Sequence, residues 1–399
     1  MLTPCNTGWT SDGKATHYLA IFASWTNDKN EPKRALLSVA PMGDETEFTA
    51  QAHKDAIEYI LGTYGKGTDN LDFFTSDNCN TNKALSDLMA TVMVGCASHR
   101  LNLASKSVYA AMEDVLKKID SLMSSLRTLK GGGKLRKYFA DNNLQEICPE
   151  KRNLTRWSST YNMIKKVIDL EGALPNCGFD AEVLVDVPTA LEMAQLKELL
   201  TTLSAFESVS KKLQEDNPTH VTLAGVRALF DQLIKDFPLL DLEMHLGLNA
   251  SVVKCPAFES GVIKVQRHQE DSLTAAEKIA LRPFLKRNRA PYAAADAEIF
   301  EATDPVAQLD YAEAVLQQEA KKLRGHESAY VCLDHILGTS NICERLFSRC
   351  SLLMTALRRK MLPSTLELLV YLRENRHLWN EFTVAECLND VYDPTDDIA

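Results

Sequence analysis

An Asp that ends an apolar run and a Glu inside a charged, aromatic helix are the residues of this chain best suited to metal-dependent chemistry. The Asp is Asp77, in Phe73-Phe74-Thr75-Ser76-Asp77-Asn78. The Glu is Glu344, in Thr339-Ser340-Asn341-Ile342-Cys343-Glu344-Arg345-Leu346-Phe347-Ser348, 267 residues further on. Two-metal phosphoryl transfer needs carboxylates from separate elements, because the ions sit ~4 Å apart and each must be reached from its own direction. Mg²⁺ keeps several of its waters, so two or three Asp or Glu side chains suffice. An Asp at a strand end also serves as a turn or helix cap, and Asn78-Cys79-Asn80 allows that reading too.

Three further stretches bear on chemistry. Cys96-Ala97-Ser98-His99 is half of a zinc-ligand spacing with no second pair nearby, so it reads as a packing and hydrogen-bonding element. Arg156-Trp157-Ser158-Ser159 sets a Trp in a basic, polar context. There the ring either stacks on an unpaired base, at roughly 1–3 kcal/mol per base, or anchors the surrounding helices. Gly131-Gly132-Gly133, among Lys130, Lys134, Arg136 and Lys137, lacks the strand-and-Lys-Ser/Thr frame of a phosphate loop and reads as a hinge.

Chemistry of this kind needs a sizeable scaffold, and 399 residues with 45% apolar and 25% charged side chains supply a folded core. No apolar run approaches the ~20 residues of a membrane-spanning helix, and the expectation is no membrane partner. Met1-Leu2-Thr3-Pro4-Cys5 has neither the basic start nor the apolar core of a secretory leader. Ten Cys without a Cys-x-x-Cys pair fit reduced thiols. The net charge of −10 hides an uneven distribution. Between Arg100 and Lys166 there are 14 Lys and Arg against six Asp and Glu, whereas residues 381–399 hold six acids and no base. Such a basic middle suits phosphate binding, and equally suits solvated helices.

Residues 16–25 and 35–40, with Asn27-Asp28-Lys29-Asn30-Glu31-Pro32 between them, predict an antiparallel hairpin. Helical spacing follows over 49–62, a short apolar run at 71–76, a helix near 79–90 and another apolar run at 92–96. This mixed order predicts an α/β layer whose later strands lie parallel to the first. From Leu101 to about residue 245 the pattern is helical. Met193, Leu196, Leu199, Leu200, Leu203 and Phe206 form one core stripe, and Leu223, Val226, Leu229, Phe230, Leu233, Ile234 and Phe237 another. Residues 250–300 look irregular, and helices resume near 305–324. Ser364, behind Pro363, and Glu367 three residues on predict a capping box and a helix reaching towards Trp379.

In their order, these segments resemble the hAT (hobo–Activator) transposases over most of the chain. The family's Asp-Gly-Trp-Thr reads Thr7-Gly8-Trp9-Thr10 here, and its Ser/Thr-Asp-Asn-Ala/Cys-x-Asn reads Ser76-Asp77-Asn78-Cys79-Asn80. Its Cys-x-x-His-x-Leu-Asn-Leu is complete from Cys96 to Leu103, and Arg156-Trp157-Ser158-Ser159-Thr160-Tyr161 resembles its insertion-domain segment. Asn341 to Ser348 resembles the segment bearing the third carboxylate, and Arg358-Arg359-Lys360-Met361-Leu362 with the helix after it resembles the dimerisation region.

The resemblance implies an RNase H-like mixed sheet core (residues 1–100) interrupted by a large all-helical insertion (101–325). Core helices and the C-terminal dimerisation region return over 326–380, ahead of an acidic tail at 381–399. Asp77 and Glu344 would hold Mg²⁺ as the catalytic carboxylates. Cys96, His99, Arg100, Arg156 and Trp157 would face DNA, with Trp157 stacking on a flipped base. Leu366, Leu369, Val370 and Leu372 would form a homodimer or higher oligomer, and localisation would be nuclear. Two departures shape the expectation. Residues 1–6 are too few for the family's zinc finger, and the first carboxylate position is Thr7. Asp12 lies five positions along the strand, facing the other way and about 17 Å distant, so it substitutes only after rearrangement. The expectation is therefore a transposase-derived protein that binds nucleic acid and dimerises, with impaired cleavage. The alternatives are an active cut-and-paste transposase and a dimerising module that does not contact DNA.

Overall fold

The computed structural model describes residues 3–10, 16–27, 31–43, 46–154, 157–215, 221–286, 310–322, 328–354, 358 and 361–391. It holds a five-stranded sheet of β1 (Thr3–Thr10), β2 (His17–Thr26), β3 (Pro32–Pro41), β4 (Phe73–Ser76) and β5 (Val92–Gly95). Their order across the sheet is β3-β2-β1-β4-β5. β1, β2 and β3 run antiparallel, then β4 joins β1 in parallel through Cys5–Thr75 and Asn6–Ser76, and β5 runs parallel to β4. The hairpin and the two later parallel strands lie where the turn formers and short apolar runs predict them.

The helices are α1 (Ala50–Thr63), α2 (Asn80–Leu88), α3 (Ala97–Tyr109), α4 (Glu113–Leu126), α5 (Leu129–Asp141), α6 (Trp157–Asp169), α7 (Ala181–Leu184) and α8 (Ala190–Gln214). After them come α9 (Leu223–Asp236), α10 (Glu243–Leu246), α11 (Pro256–Gln266), α12 (Ala275–Ala280), α13 (Tyr311–Lys322), α14 (Asn341–Leu353), α15 (Pro363–Glu374) and α16 (Glu381–Val391). Periodicity explains the long ones. Met193, Leu196, Leu203 and Phe206 of α8 meet Val226, Leu229, Phe230 and Leu233 of α9 in one large buried cluster.

The sheet is covered on both faces. Leu19, Ile21, Phe74 and Met93 pack on α1 and α2 through Ile57, Leu61 and Leu85. Tyr18, Ala20, Phe22, Leu36 and Val39 pack on α14 and α15 through Ile342, Leu346, Phe347, Leu366 and Val370. Phe73 and Val94 join the helical body through Phe258, Val262, Leu281 and Phe284. The outer edge of β3 would be a row of open backbone groups, which invites pairing with another chain. Asn375 caps part of it: Leu36 N–H donates to its Oδ1 at 2.9 Å, and its Nδ2 donates to the Leu36 carbonyl at 2.8 Å.

Three local expectations differ from what forms. Gly131-Gly132-Gly133 is no hinge but lies within α5, whose N-cap Thr128 accepts from Gly131 N–H. Close packing explains Gly131, since a Cβ there would stand 2.2 Å from the Ser125 carbonyl oxygen. The Ser364–Glu367 capping box does not form. Pro363 already occupies the first turn, Leu362 is the N-cap, and Glu367 Oε1 instead accepts from Ser38 Oγ on β3 at 2.8 Å. Residues 250–286 are not irregular, because α11 and α12 lie there; the rest of that stretch, from 287 to 309, is outside the described residues. No helix among the described residues is long and apolar enough to cross a membrane.

Candidate functional site

The C-terminal ends of β4 and β5 lie side by side, with the middle of β1 next to the end of β4, and the start of α14 is fastened onto the ends of β4 and β5. Thr75 Oγ1 of β4 donates to the Leu337 carbonyl at 3.0 Å, and Ala97 N–H to the Gly338 carbonyl at 2.9 Å. Ser340 N–H donates to Cys96 Sγ at 3.3 Å, and Asn341 Nδ2 to Ser98 Oγ at 2.7 Å. Irregular backbone can be buried here because the strand ends satisfy its polar groups.

Asp77 stands one residue past the Asn6–Ser76 pair in β4, and Thr7 one residue past it in β1. Adjacent strands are about 4.8 Å apart, so an acid at position 7 would adjoin Asp77. Asp77 is half-buried. Its Oδ1 accepts from Cys79 N–H at 3.1 Å and Asn82 Nδ2 at 2.9 Å, which turns the chain into α2. The Cys79 thiol also hydrogen-bonds to the Asp77 carboxylate. Glu344 lies in the first turn of α14 and is exposed. Its carboxylate makes no ion pair among the described residues, and its neighbour Arg345 donates instead to the Gln214 carbonyl at 2.7 Å. Burial pushes the Cys96 thiol up, hydrogen bonds from Ser340 and His99 oppose this, and the Glu344 charge adds to the rise. Glu344 thus sits within electrostatic reach of the end of β5.

The side chains assigned to DNA divide into three groups. Cys96 is 1% exposed and Trp157 4% exposed; Trp157 packs in the helical core, its ring 6.3 Å from Tyr161. Neither has a face to offer a base in this state. Arg100 is 5% exposed. Its guanidinium donates to the carbonyls of His245, Leu246 and Gly247 at 2.7–3.1 Å and pairs with Glu259 at 3.4 Å. Arg100 therefore fastens α3 to the end of α10, and the DNA-facing assignment of these three side chains is corrected to packing and fastening. Only His99 is half-buried with a ring free of hydrogen bonds among the described residues. Arg156 and Asp12 lie outside the described residues.

Glu259 was not singled out by the sequence. It is 3% exposed on α11, and its Oε1 accepts from Gly95 N–H at 3.2 Å, at the end of β5. Burial pushes its carboxyl up, and Arg100, the Gly95 N–H and Arg227 offset this only in part. Its signal was a lone Glu on the same face as Phe258, Val262 and Ile263, all buried.

About half of the basic middle is neutralised by ion pairs. Lys117, Lys118, Lys130, Lys134, Lys137 and Arg152 each make an ion pair. Lys106, Arg127, Arg136, Lys151, Lys165 and Lys166 make none among the described residues. The dimer residues split likewise. Leu366 and Val370 are 0% and 2% exposed and belong to the sheet's core, whereas Leu369 and Leu372 are 43% and 39% exposed.

No group of three or more His, Cys, Asp or Glu among the described residues is placed to hold a metal ion. No protein-family profile matches the chain. Over 147 residues the chain is 32% identical to the Transposable element Hobo transposase of Drosophila melanogaster, a stretch that covers 37% of this chain and 20% of that protein. The chain thus matches about a fifth of that relative's length, which is a distant relationship to a hobo-type transposase.

Proposed function

We propose that the chain is a hAT transposase-derived protein, built on an RNase H-like core with a helical insertion, that binds DNA and dimerises with impaired strand cleavage. The observation that carries this reading is the sheet order β3-β2-β1-β4-β5, which sets Thr7, midway along β1, beside Asp77 at the end of β4, with the helix of Glu344 fastened to the ends of β4 and β5. The likeness to Hobo transposase supports it independently.

The Asp77 and Glu344 carboxylates are the candidate donors, and carboxylate oxygens suit Mg²⁺ in kind. They are two, and Thr7 offers a neutral hydroxyl where the third would stand. Mg²⁺ held there would polarise phosphodiester oxygens. Of the chain's own groups, Asn82 and the Cys79 N–H orient Asp77, and the fastened 337–341 segment positions Glu344. Phosphate contacts fall to the unpaired bases Lys106, Arg127, Arg136, Lys151, Lys165 and Lys166, with His99 at the site. Self-association falls to the outer face of α15, where Leu369 and Leu372 are 43% and 39% exposed. Nuclear localisation belongs to the same proposal.

Restoring the acid tests the reading. With Mg²⁺ or Mn²⁺ the parent protein is expected to cleave DNA ends weakly or not at all. Thr7→Asp should raise cleavage, and adding Asp77→Asn should abolish the gain. A parent that cleaves well and gains nothing from Thr7→Asp overturns the account of the defect.

A further inference from the structure

Beside the outer edge of β3, α1 and α15 stand apart and leave a groove of about 930 Å³. Its floor is apolar, with Leu37, Ala40, Pro41, Met42 and Ile60. Three tyrosines, Tyr59, Tyr64 and Tyr371, and Leu368 stand along its walls. Tyr59 is 76% and Leu368 56% exposed, so the flanks present large apolar surface to water. Exposed apolar surface of this kind marks a place where something binds.

The charge in the groove has one sign. Glu47, Asp55 and Glu367 line it, and among the described residues no Lys, Arg or His does. None of the three makes an ion pair among the described residues. Asp55 accepts only from Gln51 at 2.6 Å and Glu367 from Ser38 at 2.8 Å, both neutral donors. Three uncompensated carboxylates around an apolar floor exclude a phosphate-bearing ligand and favour a cation with an apolar body.

The backbone argues for the shape of that cation-bearing body. A strand added to β3 would need open N–H and C=O groups along its edge. At Leu36 both are taken by Asn375, and the Leu37 carbonyl accepts from Tyr64 Oη at 2.7 Å. Strand addition is blocked at Leu36 and Leu37, which shortens the edge left to pair, whereas a helix needs only a trough of apolar surface between two other helices.

We propose that this groove is a docking site for an amphipathic helix of a partner protein, with Leu-like side chains on the floor and Lys or Arg reaching Glu47, Asp55 and Glu367. The tyrosine rings contribute apolar contact and cation–π faces to the same basic side chains.

A fluorescent helical peptide of about 18 residues, roughly five turns, with Leu on one face and Lys on the other, is the probe for the full-length chain. Its Leu/Glu counterpart is the control. The Leu/Lys peptide should bind by anisotropy, and the Leu/Glu peptide should not. Glu47→Gln, Asp55→Asn and Glu367→Gln together should weaken binding roughly tenfold, three exposed charge pairs summing to that order. Tyr59→Ala with Leu368→Ala should weaken it as well. Glu146→Gln, Glu150→Gln and Glu198→Gln, which remove equal charge elsewhere, should leave it unchanged, and matching thermal midpoints establish that each variant is folded. Binding that is absent, indifferent to peptide charge, or reduced equally by the control triple overturns the proposal. So does sedimentation in which Tyr59→Asp converts a dimer to a monomer, since a second copy would then fill the groove.

Discussion

His335 makes the stability of the segment that carries Glu344 depend on pH between about 6.5 and 4. The residue is 2% exposed, just ahead of the 337–341 stretch fastened to the strand ends. Its Nδ1 lies 2.9 Å from Thr26 Oγ1 and 3.1 Å from the Cys332 carbonyl, and its own carbonyl accepts from Ser24 Oγ at 3.3 Å. The ring lies 6.0 Å from that of Phe73, and Nε2 is buried without a protein partner. Protonation would place a charge and a second N–H where no acceptor faces it. Burial accordingly lowers the pKa from its ordinary 6.5 to about 4, with the Cys332 carbonyl opposing in part.

A base whose pKa falls on folding binds more protons when unfolded. Its contribution is therefore complete above pH 6.5 and is lost as the pH falls towards 4. A shift of that size is worth about 3 kcal/mol in total, of which about 2 kcal/mol is lost between pH 7.5 and 5.0. Glu259, Asp72 and Glu207, which burial pushes up, add stability as the pH falls and so act in the opposite sense to His335. Glu277, held down to about 2 by Lys264, Ser260 and Thr274 against the opposing push of burial, loses its contribution only as the pH falls below the ordinary carboxylate range. Histidine-selective ¹³C labelling, with the His335 signal assigned by its loss in His335→Gln, reads the pKa directly. Hydrogen exchange of residues 328–340 reads the consequence, with protection falling between pH 7.5 and 5.0 in the parent and not in His335→Gln. A His335 signal titrating between pH 6 and 7, or equal acid sensitivity in the variant, refutes the reasoning.

Asn375→Ala should cost about 2–4 kcal/mol, because it strands the buried N–H and C=O of Leu36, and chemical denaturation reads that loss. Arg100→Ala should cost about 3–5 kcal/mol by leaving Glu259 buried and uncompensated, and Glu259→Gln in the same chain should recover part of it in a double-mutant cycle. Leu369→Asp with Leu372→Asp should turn a dimer into a monomer at an unchanged thermal midpoint, whereas Leu366→Ala should lower the midpoint by removing core. Binding of duplex DNA should weaken with salt at a log–log slope no steeper than about −5, from six unpaired bases, rather than the roughly −13 of all 14.

What the sequence made legible was local. Turn formers around short apolar runs placed β2, β3, β4 and β5, and 3.6-residue periodicity placed α1, α8 and α9. Thr189 and Glu192 form a reciprocal cap on α8, with both hydrogen bonds made. Where the reading differed, the deciding contact came from outside the segment. Glu367 had a nearer-looking partner in Ser364, but the β3 hydroxyl of Ser38 took it. Arg100 and Trp157 sat in a basic context that suggested DNA. The carbonyls that hold Arg100 belong to residues 245–247, and nothing within either motif reveals that distance.

Hydrogen bonding also sorts the two motifs into structural and chemical parts. Cys96, Ser98, Ser340 and Asn341 are spent on one another across more than 240 residues of chain, closing the long excursion of the helical body back onto the sheet. Closure of so long a loop costs conformational entropy that grows only slowly with length, so a few buried, mutually satisfied polar groups can hold it. The Cys96, Ser98 and Asn341 side chains and the Ser340 N–H are thereby assigned to holding the ends together. Asp77, turned by Cys79 and Asn82 at the end of β4, and Glu344, exposed in the first turn of α14, are left outside that set of contacts.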